Sequence, residues 1–255
     1  IEGQLTFRLV YDSKRVILGI VVEVLQWLGL LLAGAWLFVL PGWGLLTWLW
    51  PAWRSLHYAE KAALSTAVSL GLFPLLMLWS HLVGLELGAL YAWLPPLLGL
   101  AAVAWKLRRE PFKLPAVPKD RLGAELALVF ILALVFAVRF WSARSLAAPL
   151  WGDSYQHSLI VRLLLENGGL FTSWQPYAAV DTFTYHFGFH SLTAVFAWLT
   201  RLPAEQAVLW NGQLLNGLAA LAVFPLAKRL KDPPWSGALA VLIVGLLSGL
   251  PMEYA

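Results

Sequence analysis

Long apolar runs separated by short polar breaks dominate the chain, and their lengths set the first expectation. A bilayer's hydrocarbon core is crossed by about 20 mostly apolar residues in a helix. Six stretches approach that length: Val16–Leu40, Glu60–Leu85, Leu87–Trp105, Glu125–Trp141, Glu205–Ala227 and Trp235–Leu250. The first ends at Pro41-Gly42, and the tryptophan-rich stretch from there to Trp53 reads as interfacial. The pattern predicts an all-α fold, a multi-pass transmembrane helical bundle of about six spans with extracytoplasmic amphipathic or juxtamembrane helices. At the start, "QLTFRLVYD" (Gln4–Asp12) alternates weakly and carries strand formers, which predicts a short β remnant.

Two shorter segments have helical periodicity without spanning length. In "LWGDSYQHSLIVRLLLENGGLF" (Leu150–Phe171), Leu159, Ile160, Leu163 and Leu164 form one apolar stripe. Asp153 with Gln156 resembles a capping box, Arg162 and Glu166 have i,i+4 spacing, and Gly168-Gly169 supplies a stop. Ser154–Asn167 therefore reads as an amphipathic helix lying on a membrane surface. Phe189–Leu202 is the second short segment and reads as an interfacial or re-entrant helix.

Composition agrees with the pattern: 60% of the 255 residues are hydrophobic and 13% charged, against roughly 45–50% and 25% in soluble domains. Fifteen tryptophans suit interfacial belts, and the absence of cysteine excludes disulfides, thiolate metal sites and cysteine nucleophiles. A net charge of +4 in a soluble chain would point to nucleic acid. Here the basic residues cluster between apolar runs, where they set topology, and no nucleic-acid partner is expected. "KLRREPFKLPAVPKDR" (Lys106–Arg121) and "KRLKDPP" (Lys228–Pro234) are the strongest such signals. Placing both in the cytoplasm puts the outer loop, 142–204, and its "GDSYQH" segment outside. The chain begins with Ile and stops soon after an apolar run, so it reads as a piece of a longer protein. Residues 1–15 would end an external segment, 16–121 would form the first helices and basic loop, and 122–255 a second membrane region.

Chemistry concentrates in the outer loop. Asp153 and His157 are four apart, as are His186 and His190, so each pair shares a helical face. Asp153 is either a helix cap or a working carboxylate, and each histidine is either an interfacial ring or a site group. Together they could hold a divalent cation or remove a proton from an acceptor hydroxyl. Arg139, Arg144, Arg162 and Arg201 sit on the same side, where arginine either snorkels or recognises phosphate through its planar fork. Asn211, Gln213 and Asn216 lie in the fifth span as helix–helix glue or as substrate contacts. His57 and His81, near span ends, carry no assignment.

The order of these features, a basic loop, a span, "GD-x-x-x-H", a short helix, "F-x-Y-H-F-G-F-H" and a span ending in "AKRL", resembles the first half of the GT-C class of membrane glycosyltransferases. The likeness covers Leu122–Ala255 and is nearest to bacterial members of the class; the double acid of some members is absent, since Ser154 follows Asp153. The resemblance implies a sugar moved from a polyprenyl-phosphate carrier to an acceptor on the extracytoplasmic face of a bacterial plasma membrane, with membrane lipid as surroundings. It implies a catalytic pair, Asp153 and His157, and substrate contacts from Arg144, Arg162, His186, His190 and Arg201. A divalent cation, Mg or Mn, would rest on Asp153 and on Glu253, the acid available in the next outer loop. The alternatives are a transporter or flippase, whose path Asn211, Gln213 and Asn216 would line, and a non-catalytic membrane anchor or scaffold.

Overall fold

The computed structural model describes residues 2–109, 119–230 and 234–247. Its helices, in chain order, are α1 (Glu2–Phe38), α2 (Leu40–Leu49), α3 (Tyr58–Leu82), α4 (Leu90–Arg109), α5 (Lys119–Ala143), α6 (Ser154–Asn167), α7 (Gly188–Thr200), α8 (Ala204–Leu230) and α9 (Pro234–Leu242). A 3-10 turn, Pro51–Ser55, precedes α3, and a π turn, Ile243–Leu247, follows α9. Five described helical stretches are long and apolar enough to cross a membrane: Ile17–Leu49, Tyr58–Leu82, Leu90–Arg109, Leu122–Ala143 and Ala204–Leu230. The protein is an all-α bundle of integral-membrane type. Leu18, Leu25, Leu32, Phe130 and Leu226 point outward, as they can where the surrounding solvent is lipid. The sixth expected span is represented by the shorter apolar stretch Trp235–Leu247.

One local expectation is corrected. Among the described residues there is no strand, and Gln4–Asp12 belongs to α1, which runs unbroken across the boundary expected at residue 15. A lone extended segment would leave its backbone groups without a ladder partner, whereas helix propagates from the adjoining span at little cost. The tryptophan-rich stretch after Pro41 is helical, as α2. Proline cannot donate to the preceding turn, so the span breaks at Val39 and resumes with Pro41 in its first turn. The glycines then allow close packing. A Cβ on Gly42 would lie 2.0 Å from the Ser65 carbonyl oxygen, and one on Gly44 would lie 2.5 Å from Gly99 Cα. Small residues let helix backbones approach in this way within a membrane.

Helix directions follow from specific contacts. Trp36 Nε1 donates to the Ala92 carbonyl (3.2 Å) and Trp48 Nε1 to that of Ala102 (3.3 Å), so α1–α2 and α4 run the same way. Phe38 meets Phe73 while Gly42 N–H donates to Ser69 Oγ (2.8 Å), so α3 runs against them. One end of the bundle gathers the described parts of both basic segments. There Lys106 Nζ donates to the Thr47 carbonyl (3.0 Å), Lys228 Nζ pairs with Glu60 Oε2 (2.7 Å), and His57 Nδ1 lies 3.6 Å from Glu125 Oε1.

Helices α6 and α7 belong to the other half of the molecule. At 13 residues, α7 is about 20 Å long, short of the roughly 30 Å hydrocarbon core. Every residue from His190 to Ala197 is nevertheless buried, and α7 touches α1, α3, α4, α6 and α8. It is enclosed by protein. The stripe on α6 behaves alike: Ile160, Leu163 and Leu164 join the core around Val195 and Phe196. The apolar face of α6 covers α7 and α8.

Candidate active site

Asp153 opens α6 with helical backbone angles, φ −80° and ψ −12°, and its side chain makes no cap hydrogen bond. A capping side chain reaches back over the first turn from an extended residue; here the carbonyl of Asp153 already accepts the amides of Gln156 and His157. The carboxylate points instead to the next turn, with Oδ2 3.6 Å from His157 Nε2. Its side chain is 75% exposed. No cap bond accounts for the acid at this position, and its partner is an imidazole.

That imidazole is held from its other side. His157 Nδ1 lies 2.8 Å from His190 Nε2, and His190 Nδ1 lies 3.2 Å from the His186 carbonyl oxygen. A carbonyl only accepts, so His190 Nδ1 carries a proton and donates. His190 is 1% exposed. Burial, followed by the proximity of His157, pushes its pKa down to about 4, so the ring is neutral and Nε2 bears a lone pair. His157 Nδ1 must then be the donor in the 2.8 Å contact. His157, His190 and the His186 backbone form one hydrogen-bonded series across the N-terminal ends of α6 and α7, and the Asp153 carboxylate lies within ion-pair range of its His157 end.

The connection from α6 to α7 sets that geometry. Gly168 takes the left-handed conformation, φ +70°, that closes α6, and its carbonyl accepts the Gly88 amide (2.8 Å), tying the helix end to the α3–α4 turn. The loop that follows is anchored by aromatic packing: Phe171 stacks on Phe183 at 4.5 Å, Trp174 meets both rings, and Trp174 Nε1 donates to the Thr182 carbonyl (2.8 Å). This returns the chain to the start of α6 and delivers Tyr185 and His186, whose rings stack at 4.0 Å.

These groups line a cavity of about 580 Å³, bounded by Asp153, His157, His186 and His190 on one side and by Leu209, Gln213 and Asn216 of α8 on the other. The three amides of α8 divide by role. Asn211 Nδ2 donates to Thr193 Oγ1 (3.0 Å) and joins α8 to α7, whereas Gln213 and Asn216 face the cavity. Behind Gln213 lies Arg139 of α5, 3% exposed, whose Nη1 donates to Gln213 Oε1 (3.4 Å). Sequence reasoning named Arg139 without assigning it to the site. The signal was available, because a cation inside an apolar span is a functional candidate by its cost alone.

The other arginines separate. Arg162 is ion-paired with Glu205, not with Glu166, which instead accepts from the Tyr177 hydroxyl (2.7 Å). The nearby Glu205 carboxylate holds the Arg162 guanidinium even more firmly in its charged form than usual. It lines a smaller hollow of about 270 Å³ that shares Pro149, Trp151 and Ser154 with the main cavity. Arg144 folds over its own helix, 3.5 Å from the Trp141 ring, and lines neither hollow. Arg201 closes α7 in a left-handed conformation, φ 60°, at the end opposite His190, about 16 Å away along the helix.

Glu253 lies outside the described residues. Among the described residues, no three of His, Asp and Glu are grouped so as to hold a metal ion, and both ring nitrogens of His190 are occupied by other contacts. The donor set around Asp153 fits proton transfer better than cation binding. Comparison of the chain with models of known families, with curated proteins and with solved structures finds no match in any of the three.

Proposed function

We propose that the protein is a membrane glycosyltransferase that moves a sugar from a polyprenyl-phosphate carrier to a hydroxyl acceptor at the end of the bundle opposite its basic segments. The observation that carries this reading is the cavity that joins an acid–imidazole pair to a wall of amides with a buried guanidinium behind it. The chemistry needs those parts. An acceptor hydroxyl must lose its proton as it attacks the anomeric carbon, and the departing phosphate carries charge that cationic groups stabilise. Arg139 lends a positive field to the floor of the cavity through Gln213, and Arg162 does so in the adjoining hollow. With the basic segments in the cytoplasm of a bacterial plasma membrane, the cavity opens on the extracytoplasmic side, where carrier-linked sugars need no nucleotide.

A transporter reading requires a polar path through the bundle. The described polar lining is confined to the cavity end, while the basic end is tied together by Glu60–Lys228 and His57–Glu125, so the enzyme reading is preferred. The test is to incubate the purified protein in lipid nanodiscs with a panel of polyprenyl-phosphate sugars bearing radiolabelled sugar and with cell-envelope acceptors. Transfer with release of polyprenyl phosphate is expected. Failure of every carrier to bind or react would overturn the function.

A further inference from the structure

We infer that His157, rather than Asp153, is the proton acceptor of this site, and that His190 is a positioning residue that fixes which nitrogen of His157 does the accepting. This rests on the proposed function and divides labour within it. The basis is the order of donors and acceptors. The His186 carbonyl fixes the proton of His190 on Nδ1, the lone pair on His190 Nε2 fixes that of His157 on Nδ1, and His157 Nε2, 3.6 Å from Asp153 Oδ2, is the nitrogen left to exchange a proton at the cavity. Two linked imidazoles thereby settle a tautomer that a single exposed ring would leave mixed.

The groups facing His157 are few. Asp153 lies on its own helix, His190 on α7, and Tyr185 and His186 on the loop before it, with Tyr185 6.3 Å away between ring centroids. The polar side chains that α8 contributes to the cavity lining are the uncharged Gln213 and Asn216. Asp153 stands 3.6 Å from the nitrogen that would gain the proton and suits the stabilisation of an imidazolium. In the step, the acceptor oxygen forms its bond to the anomeric carbon while its proton passes to His157 Nε2. The bond from that carbon to the phosphate oxygen breaks, its electron pair leaves with polyprenyl phosphate, and the imidazolium later returns the proton to water.

The arrangement has a readout independent of catalysis. In ¹⁵N-histidine-labelled protein at neutral pH, two-bond ¹H–¹⁵N spectra should show both His157 and His190 as Nδ1–H tautomers. His190→Phe, which removes the acceptor, should shift His157 toward the Nε2–H form, and His190→Gln, whose amide oxygen reaches near the lost Nε2, should restore it. In the transfer assay, His157→Gln should lose about 10²–10⁴-fold, the usual share of a general base, while Asp153→Asn should lose less. An Nε2–H tautomer for His157 in the wild type, or a smaller loss for His157→Gln than for Asp153→Asn, would overturn the assignment. Absence of transfer by the wild type would count against the function, and the tautomers would still decide the relay.

Discussion

Each end of the bundle holds a histidine 3.6 Å from a carboxylate: His57 with Glu125 at the basic end, His157 with Asp153 at the cavity end. The pairs are alike in distance and different in surroundings. His57 precedes α3, its backbone amide donates to Glu60 (2.9 Å), and Glu60 also binds Lys228 of α8. That imidazole joins α5 to a knot of charges that already links α3 and α8. His157 has a second imidazole on its other nitrogen and a cavity beside it. An acid–imidazole pair acquires chemistry from what its remaining nitrogen and its open face meet.

The contrast is sharpest in paired substitutions. His157→Gln should remove about 10²–10⁴-fold of transfer activity with little change in melting temperature. His57→Gln should leave activity intact and cost about 1 kcal/mol or less, as a partly exposed ion pair would. The next effect in size belongs to the basic end. Glu60→Ala leaves Lys228 largely buried without its carboxylate and should destabilise by about 3–5 kcal/mol, measurable by thermal unfolding in nanodiscs. A Glu60→Gln, Lys228→Met double variant should recover much of that loss.

Acid should loosen the cavity end through His190. Its folded pKa, about 4, lies below the unfolded value near 6.5. The unfolded chain therefore gains the proton first, so stability is fully present above pH 6.5 and is lost as pH falls toward 4. The expected loss is roughly 3 kcal/mol at most, and a His190→Gln variant should show a flatter profile over that range. Two substitutions probe smaller effects. Asp153→Ala should change stability by less than about 0.5 kcal/mol, because no cap bond is lost, whereas a true cap would cost about 0.5–2 kcal/mol. Arg201→Gly should stabilise by about 1 kcal/mol, by relieving the left-handed backbone, and should leave transfer unchanged.

The bundle was legible in the sequence because span length and hydropathy are constraints that lipid imposes along the chain. The glycine stop of α6 was legible for a similarly local reason, since Gly168 supplies the left-handed residue a helix end needs. The pairing of His157 with His190 was not, as it joins residues 33 positions apart on separate helices. The i,i+4 rule found Asp153 with His157 but misassigned Arg162, whose guanidinium prefers Glu205 across the packing interface to Glu166 on its own helix. What covers the apolar faces of α6 and α7 was not legible, because an apolar stripe looks the same whether lipid or protein covers it. Gln4–Asp12 was misread because weak alternation yields to an adjoining helix.

Photocrosslinking tests whether the cavity end receives a carrier phosphate. A polyprenyl phosphate with a diazirine next to the phosphate would be irradiated with the protein in a bilayer and the adducts mapped by mass spectrometry. Adducts are expected on Trp151, Phe189, Leu209 or Leu215 at the cavity, competed away by unlabelled polyprenyl phosphate. Adducts confined to the basic end around Glu60 and Lys228, or labelling that the unlabelled carrier does not compete, would contradict the account.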